Sequence, residues 1–362
     1  MRYGFAAWVV AAGLAGGCKT VECGANTIEQ DGTCVAQATD SSAECGPGTT
    51  FNKESGRCEN SLFLDGGGLC GPNTTVVVDD HGVRTCVGTG GGGGDCTQPL
   101  PCPSPSGSNV SLCGRIYNLE DSKPLDDGNA ADGEPYKAIE IRVYDPIAFV
   151  SSQNPTVLVR SKPDSCGRFA VVDAPRPATG FIAIATDDDS GASADDFVLT
   201  GIAAPVSGGQ ALSPLRAWVF KRTTDAAWSQ AANLPSGMTF GSMGVYVPIF
   251  LSGMTAVSPF PATPTSGVQV AIVDSLSGMR TVHADQDFYF SDSDPLSRKV
   301  VAPMQNSTGA NGTGLYINQP SLGSFSGIGN AGAGDCWRTD LAAAPKGAAY
   351  VQERNPGTQF CP

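Results

Sequence analysis

The sequence predicts a mainly β protein, with disulfide-stapled small modules followed by two antiparallel β-sandwich domains. Three observations carry this. The 362 residues include 46 Gly and 26 Pro but only 16% charged residues, a composition of turns and short strands with few long helices. Thirteen cysteines point to an oxidising compartment, where crosslinks hold modules too small to bury a core. Short runs alternate apolar and polar residues beyond residue 108 and are bounded by Gly, Pro, Asp and Ser, the pattern of half-buried strands.

At the N-terminus, Met1-Arg2 give a positive start and Phe5 to Ala15 an apolar run. The run is too short to span a bilayer and reads as an export signal. It ends in Ala15-Gly16-Gly17-Cys18. This ending resembles the lipobox of bacterial lipoproteins, with Leu14 one position further out than the family's leucine. The resemblance implies that 1–17 is a lipoprotein signal peptide and that Cys18 is acylated, carries palmitate and becomes the new N-terminus. Outer-membrane lipid is then a partner through Cys18. In that family an aspartate after the cysteine retains the protein in the inner membrane. Lys19 stands there, which implies an outer-membrane lipoprotein, at the cell surface or facing the periplasm. Simple secretion is the alternative.

With Cys18 lipidated, an even number of cysteines remains: Cys23, Cys34, Cys45, Cys58, Cys70, Cys86, Cys96, Cys102, Cys113, Cys166, Cys336 and Cys361. The spacing suggests that neighbours pair, as 23–34, 45–58, 70–86, 96–102, 113–166 and 336–361, although sequence alone does not fix connectivity. No Cys-x-x-Cys occurs, which argues against a zinc knuckle or a thioredoxin-like pair. A net charge of −13 argues against nucleic acid, whose backbone needs a basic surface. No later segment has the eighteen or so apolar residues a membrane helix requires.

Region 18–87 is a cysteine-rich stalk of three repeats. Cys23-Gly24-Ala25-Asn26-Thr27 closes at Cys34, Cys45-Gly46-Pro47-Gly48-Thr49 at Cys58, and Cys70-Gly71-Pro72-Asn73-Thr74 at Cys86. Asp31-Gly32 suits a hairpin turn before Cys34. In the third repeat, Val76 to Val78 reads as a strand and Asp80-His81-Gly82 as its turn. The repeats resemble the short cysteine-rich modules of secreted and surface proteins. They serve either as a spacer without a ligand or as a binding surface. Region 88–107 is a linker: Gly90 to Gly94 form a flexible tether, and Pro101, Pro103 and Pro105 stiffen its end.

Region 108–205 reads as the first sandwich, with strands at Val110–Tyr117, Ile139–Asp145, Thr156–Arg160, Arg168–Val172 and Phe181–Ala185. Gly114-Arg115-Ile116, Pro124-Leu125, Ile141-Arg142-Val143 and Gly167-Arg168-Phe169 resemble, in order, the motifs of the carboxypeptidase regulatory-like, or transthyretin-like, domain. The resemblance covers about a quarter of the chain. It implies a structural or binding role and brings no peptidase residues. The acidic insertion Asp126 to Gly133 departs from the family pattern. Region 211–362 reads as a second sandwich, in one reading of the same type. Its strand candidates are Leu215–Phe220, Gly244–Phe250, Val268–Val273, Phe288–Phe290 and Leu315–Ile317, with two more near Phe325 and Tyr350. Thr223 to Asn233 suits a short helix, with Asp225 near its start.

Chemistry has little to work with. His81 and His283 are the only histidines. No Gly-x-Ser-x-Gly elbow, His-Glu-x-x-His pair or phosphate loop occurs. Some intradiol dioxygenases share a transthyretin-like sandwich, but their iron needs two Tyr and two His. With His81 in the stalk, the head lacks them. The acidic runs Asp187-Asp188-Asp189 and Asp292-Ser293-Asp294 are candidate Ca²⁺ ligands, since closely spaced carboxylates on strand-end loops can supply the six to eight oxygens. Solvated turn residues are the plain alternative, and glycoside hydrolysis by a carboxylate pair is a remote one. Trp218, Trp228, Phe240, Tyr246 and Phe250 either pack in the core or face a glycan or protein partner. Apart from the calcium option, no cofactor is expected. The function expected is a non-enzymatic, lipid-anchored envelope protein displaying sandwiches for adhesion or protein or glycan recognition. A periplasm-facing scaffold subunit is the alternative, and a metal-dependent sandwich enzyme a distant third.

Overall fold

The computed structural model describes the backbone of six short strands between Thr27 and Gly88. It describes backbone and side chains over 96–125, 139–151, 155–188, 196–253, 255–274, 276–317, 323–329 and 337–357. The signal segment with Cys18, the glycine run, His81, the 126–133 insertion, Asp189, Cys336 and Cys361 lie outside the described residues, as do the side chains of Cys23 to Cys86. The chain forms two compact units, Met1–Asp65 and Gly66–Pro362.

The first unit contains two hairpins, β1 (Thr27–Gln30) with β2 (Thr33–Ala36), and β3 (Thr49–Asn52) with β4 (Arg57–Asn60). The second opens with a third, β5 (Thr74–Val78) with β6 (Arg84–Gly88). Each hairpin starts at the threonine of its Cys-Gly-x-x-Thr repeat and carries the closing cysteine on its second strand. The repeat is thus a structural unit of one hairpin.

The head follows. Its first strands are β7 (Val110–Asn118) and β8 (Ile139–Tyr144), then helix α1 (Pro146–Ser151). Next come β9 (Val159–Ser161), β10 (Arg168–Ala174), β11 (Phe181–Asp188), β12 (Phe197–Pro205) and β13 (Ala211–Lys221). Helices α2 (Arg222–Ala231) and α3 (Phe240–Met243) lead into β14 (Val245–Ser252). Beyond lie β15 (Thr263–Pro264), β16 (Gln269–Val273), β17 (Arg280–Thr281), β18 (Asp287–Phe290), β19 (Val301–Ala302) and β20 (Gly314–Tyr316). The last are β21 (Gly323–Ile328), β22 (Asp340–Ala342) and β23 (Ala348–Arg354).

Two sheet systems hold these strands in sandwich-like layers. A 13-stranded sheet runs β10-β7-β13-β12-β23-β14-β20-β18-β19, with β11, β8, β9 and β15 branching from it. A 4-stranded sheet runs β17-β16-β21-β22. Most ladders are antiparallel, but β7–β13, β12–β23 and β14–β23 are parallel. Parallel neighbours need long crossovers, and the whole first sandwich intervenes between β7 and β13. The boundary expected between 205 and 211 therefore falls between two strands of one continuous sheet.

Three of the four cores among the described residues follow from side-chain alternation. On β13, Ala217 and Val219 enter the core of the first sandwich with Leu112, Ile141 and Phe169. Trp218 and Phe220, pointing the other way, enter a second core with Trp228 and Phe290. On β14, Val245, Val247, Ile249 and Leu251 join that second core. Tyr246 and Phe250 join a third, with Phe325 and Trp337, under the smaller sheet. Trp218 and Tyr246 do face away from their apolar neighbours, yet they are 1% and 0% exposed.

Two glycines of the quoted motifs have definite work. A Cβ on Gly114 would lie 2.1 Å from the Leu215 carbonyl oxygen, so glycine lets β13 close against β7. Gly167 has φ +67° and would meet the Leu125 oxygen at the same distance, a place for glycine on two counts.

Arg298 is fully buried beside the stacked rings of Trp218 and Phe260. Its Nε donates to Thr313 Oγ1 at 2.7 Å, and its Nη1 donates to Leu119 O at 3.1 Å and Ser122 Oγ at 2.6 Å. It ties the loop after β7 to the loop after β18. Burial pushes its guanidinium down to about 9, which leaves it charged at neutral pH. Replacing Arg298 by Met leaves several buried acceptors unanswered, each costing about 1–3 kcal/mol. The expected outcome is a destabilisation of about 3 kcal/mol in urea unfolding, with faster amide exchange in both loops.

Candidate functional site

The predicted site residues fall out as follows. Cys96 bonds Cys166 and Cys102 bonds Cys113, with Cα separations of 5.3 and 5.6 Å. This corrects the nearest-neighbour expectation of 96–102 and 113–166. The register explains it. Ala170 of β10 pairs with Cys113 and Arg168 with Arg115, so Cys166 is displaced along the strand from Cys113 by about 13 Å. That is beyond the reach of a disulfide. The 96–102 segment instead lies across the sandwich and is held at both ends. Arg115 donates to Cys96 O and to Cys166 O, each at 2.9 Å.

The acidic runs are engaged with the protein itself. Asp187 pairs with Arg142 at 2.5 Å, and Arg142 and Arg160 both hold Glu140 at 2.6 Å. Asp188 accepts from the Phe197 amide at 3.0 Å. Asp292 accepts from Ser297 Oγ and from the Lys299 and Val300 amides, and Asp294 from the Leu296 amide. These lone pairs, which a cation would need, staple turns and strand ends. Among the described residues no group of three or more His, Cys, Asp or Glu stands close enough to hold a metal ion.

His283 sits in a turn, where its carbonyl accepts from the Gln286 and Asp287 amides. Its ring has no hydrogen-bonded nucleophile among the described residues. Nearby, Asp287 accepts from Tyr289 Oη at 2.5 Å, and that phenol accepts from the Val270 amide at 2.9 Å. Burial raises the Asp287 carboxyl above its usual range and the Tyr289 phenol far above its own. This pair anchors β18 to β16. Of the two readings for Trp218, Trp228, Phe240, Tyr246 and Phe250, core packing or a face for a glycan or protein partner, the structure shows the first: all five are buried.

What the described surface does offer is an apolar groove of about 520 Å³. Its floor is one face of β11 and β12, where Phe181 pairs with Pro205, Ala183 with Ala203 and Ala185 with Gly201. Small side chains on facing positions leave the depression. Helix α1 forms one wall and β22 the other. Ile147, Phe181 and Leu341 line it and remain 49%, 51% and 60% exposed. At its rim Asp340 pairs with two cations, Arg338 at 3.2 Å and the buried Arg354 at 2.6 Å. Thr339 Oγ1, also in the lining, is buried without a partner. Sequence reasoning missed this site. Its one signal was the run of small residues at alternate positions of β11 and β12.

No family model matches the chain, and no curated protein matches it. Among solved structures, the shaft pilin SpaA of Lactobacillus rhamnosus GG is similar at 10% identity, over 70% of this chain and 98% of the pilin, with a TM-score of 0.19. The Bacillus anthracis TIE protein is similar at 7% identity, over 69% of this chain and 34% of its own length, with a TM-score of 0.20. At such scores the overall arrangements differ, and the functional reading rests on this chain's own geometry.

The buried Asp287 gives a test. A carboxyl whose folded pKa is raised stabilises below its unfolded value near 4, and that contribution is lost as pH rises through the folded value. Asp287→Asn cannot ionise and keeps an acceptor for Tyr289. Relative to wild type, its urea midpoint is expected to improve between pH 4 and pH 7. An unchanged difference across that range contradicts the assignment.

Proposed function

We propose that this chain is a non-enzymatic structural subunit of a bacterial envelope assembly. Lipid on Cys18 anchors it, the cysteine-rich repeats space it from the membrane, and the β head makes protein contacts. The observation that carries this reading is the groove, where Ile147, Phe181 and Leu341 keep about half or more of their surface exposed on a rigid sheet. Contiguous exposed apolar surface of this kind marks an interaction site. A protein partner is favoured over a glycan because the described tryptophans Trp218, Trp228 and Trp337, the best platforms for a sugar, are buried, and the groove offers Phe181 among aliphatic side chains instead.

Two measurements test it. Cys18→Ser should move the protein from the membrane fraction to the soluble exported fraction and abolish palmitate labelling; retention with label intact refutes the anchor. A photo-crosslinking residue at Leu341 in intact cells should give a discrete protein adduct, while the same residue at exposed Met304 should not. Equal behaviour at both positions refutes the contact role.

A further inference from the structure

We infer that the groove takes an extended, apolar, carboxylate-bearing segment of a partner protein, which adds as a strand to the open edge of β22. This rests on the protein-contact reading above and specifies its chemistry.

The edge argument comes first. Residues 338–343 border the groove without a gap. On its other side β22 pairs with β21, through Gly323 with Ala342, Ser324 with Leu341 and Phe325 with Asp340. Among the described residues no other strand pairs with β22. Its second edge is thus unpaired among the described residues, the strand itself lines the groove, and an incoming strand there answers the alternate amides and carbonyls that β21 leaves free, as in strand addition. Alternate side chains of that strand would drop onto the small-residue floor.

Charge selects the occupant. Arg338 and Arg354 share Asp340 as their one ion-pair partner among the described residues, so the rim carries an excess positive charge beside an apolar trough. A segment with a carboxylate next to its apolar residues complements this. A second copy of this chain is disfavoured, because the protein carries −13 and copies repel. An acyl chain would leave the edge amides unanswered. A volume of 520 Å³ is that of a short segment or small ligand rather than a folded face.

The test uses the purified full chain in detergent and a phage-displayed library of random octapeptides. The enriched peptides should alternate apolar residues and carry an acidic residue or end group. Resynthesised, the best peptide should protect from exchange the amides of β22 that face away from β21, every second one along the strand. Methylating its alternate backbone nitrogens should abolish binding. Leu341→Asp should weaken it about tenfold or more, and Arg338→Ala roughly threefold to fivefold, the scale of one exposed ion pair. Both positions are surface-exposed, and an unchanged near-UV spectrum will show that the head is intact. No enrichment, binding that survives backbone methylation, or displacement of the peptide by oleate that binds more tightly overturns the inference. If strand addition fails while the Leu341 crosslink in cells persists, the contact role stands and only its mode falls. Loss of the crosslink removes the role itself.

Discussion

The head depends on β14 and on residues 217–220 of β13, which are buried on both faces. In β13 and β14 successive side chains point into different cores, so each strand is a shared wall. β13 closes the first sandwich with Ala217 and Val219 and opens the next core with Trp218 and Phe220. This shared wall explains why one sheet runs through both halves and why Gly66–Pro362 is one unit. A strand with both faces buried cannot slip register by one residue without placing the wrong set of volumes in each core. The wide rings of Trp218 and Tyr246 thus fix register as well as filling space.

Two buried arginines complete that arrangement where backbone ladders cannot. Arg298 reaches from the loop after β18 to carbonyl and hydroxyl groups of the loop after β7. Arg354, on β23, donates to Tyr246 Oη and to Phe325 O, each at 2.7 Å, and to Asp340 at 2.6 Å. It therefore binds the large sheet to the small one. Burial pushes the Tyr246 phenol up to about 12, so it remains a neutral partner across physiological pH. A guanidinium suits both places because its planar fork answers several acceptors at once and keeps its charge. Lysine would supply one point charge where three or four directions are needed.

How much was legible in the sequence follows from how local each feature is. The strand at Ile139–Tyr144 and the helix beginning at Arg222 were readable because alternation and an acidic residue in the first turn, Asp225, act within a few residues. The hairpin repeats were readable for the same reason. The second buried face of β13 was not, since an aromatic between two apolar residues reads equally as outward or as shared between cores. The pairings of Cys96 with Cys166 and of Cys102 with Cys113 were hidden because they depend on the β7–β10 register and on where the 96–102 segment crosses it. The groove was hidden most deeply. Its edge strand lies well over a hundred residues along the chain from its floor and its helix wall, and its depth comes from alanines and a glycine that carry no chemical signature.

Edge strands are usually kept from pairing by brevity, by charge or by a covering element. β22 has the first two: it is three residues long, and Arg338 and Asp340 flank its start. Yet the guard is lopsided. Asp340 is drawn inward by the buried Arg354, so the negative half of the pair is committed to the core while Arg338 projects at the rim. A neighbouring molecule meets one exposed cation beside Leu341, rather than a balanced pair that repels strands of either sign. Such an edge discriminates. It disfavours a basic strand by repulsion, and β22 is too short to nucleate pairing with an arbitrary chain. A strand that brings its own carboxylate gains both the ion pair and the apolar trough. Selectivity would then come from the rim and affinity from the floor. That division of labour accounts for an apolar surface left open on the head without making it a site of indiscriminate association.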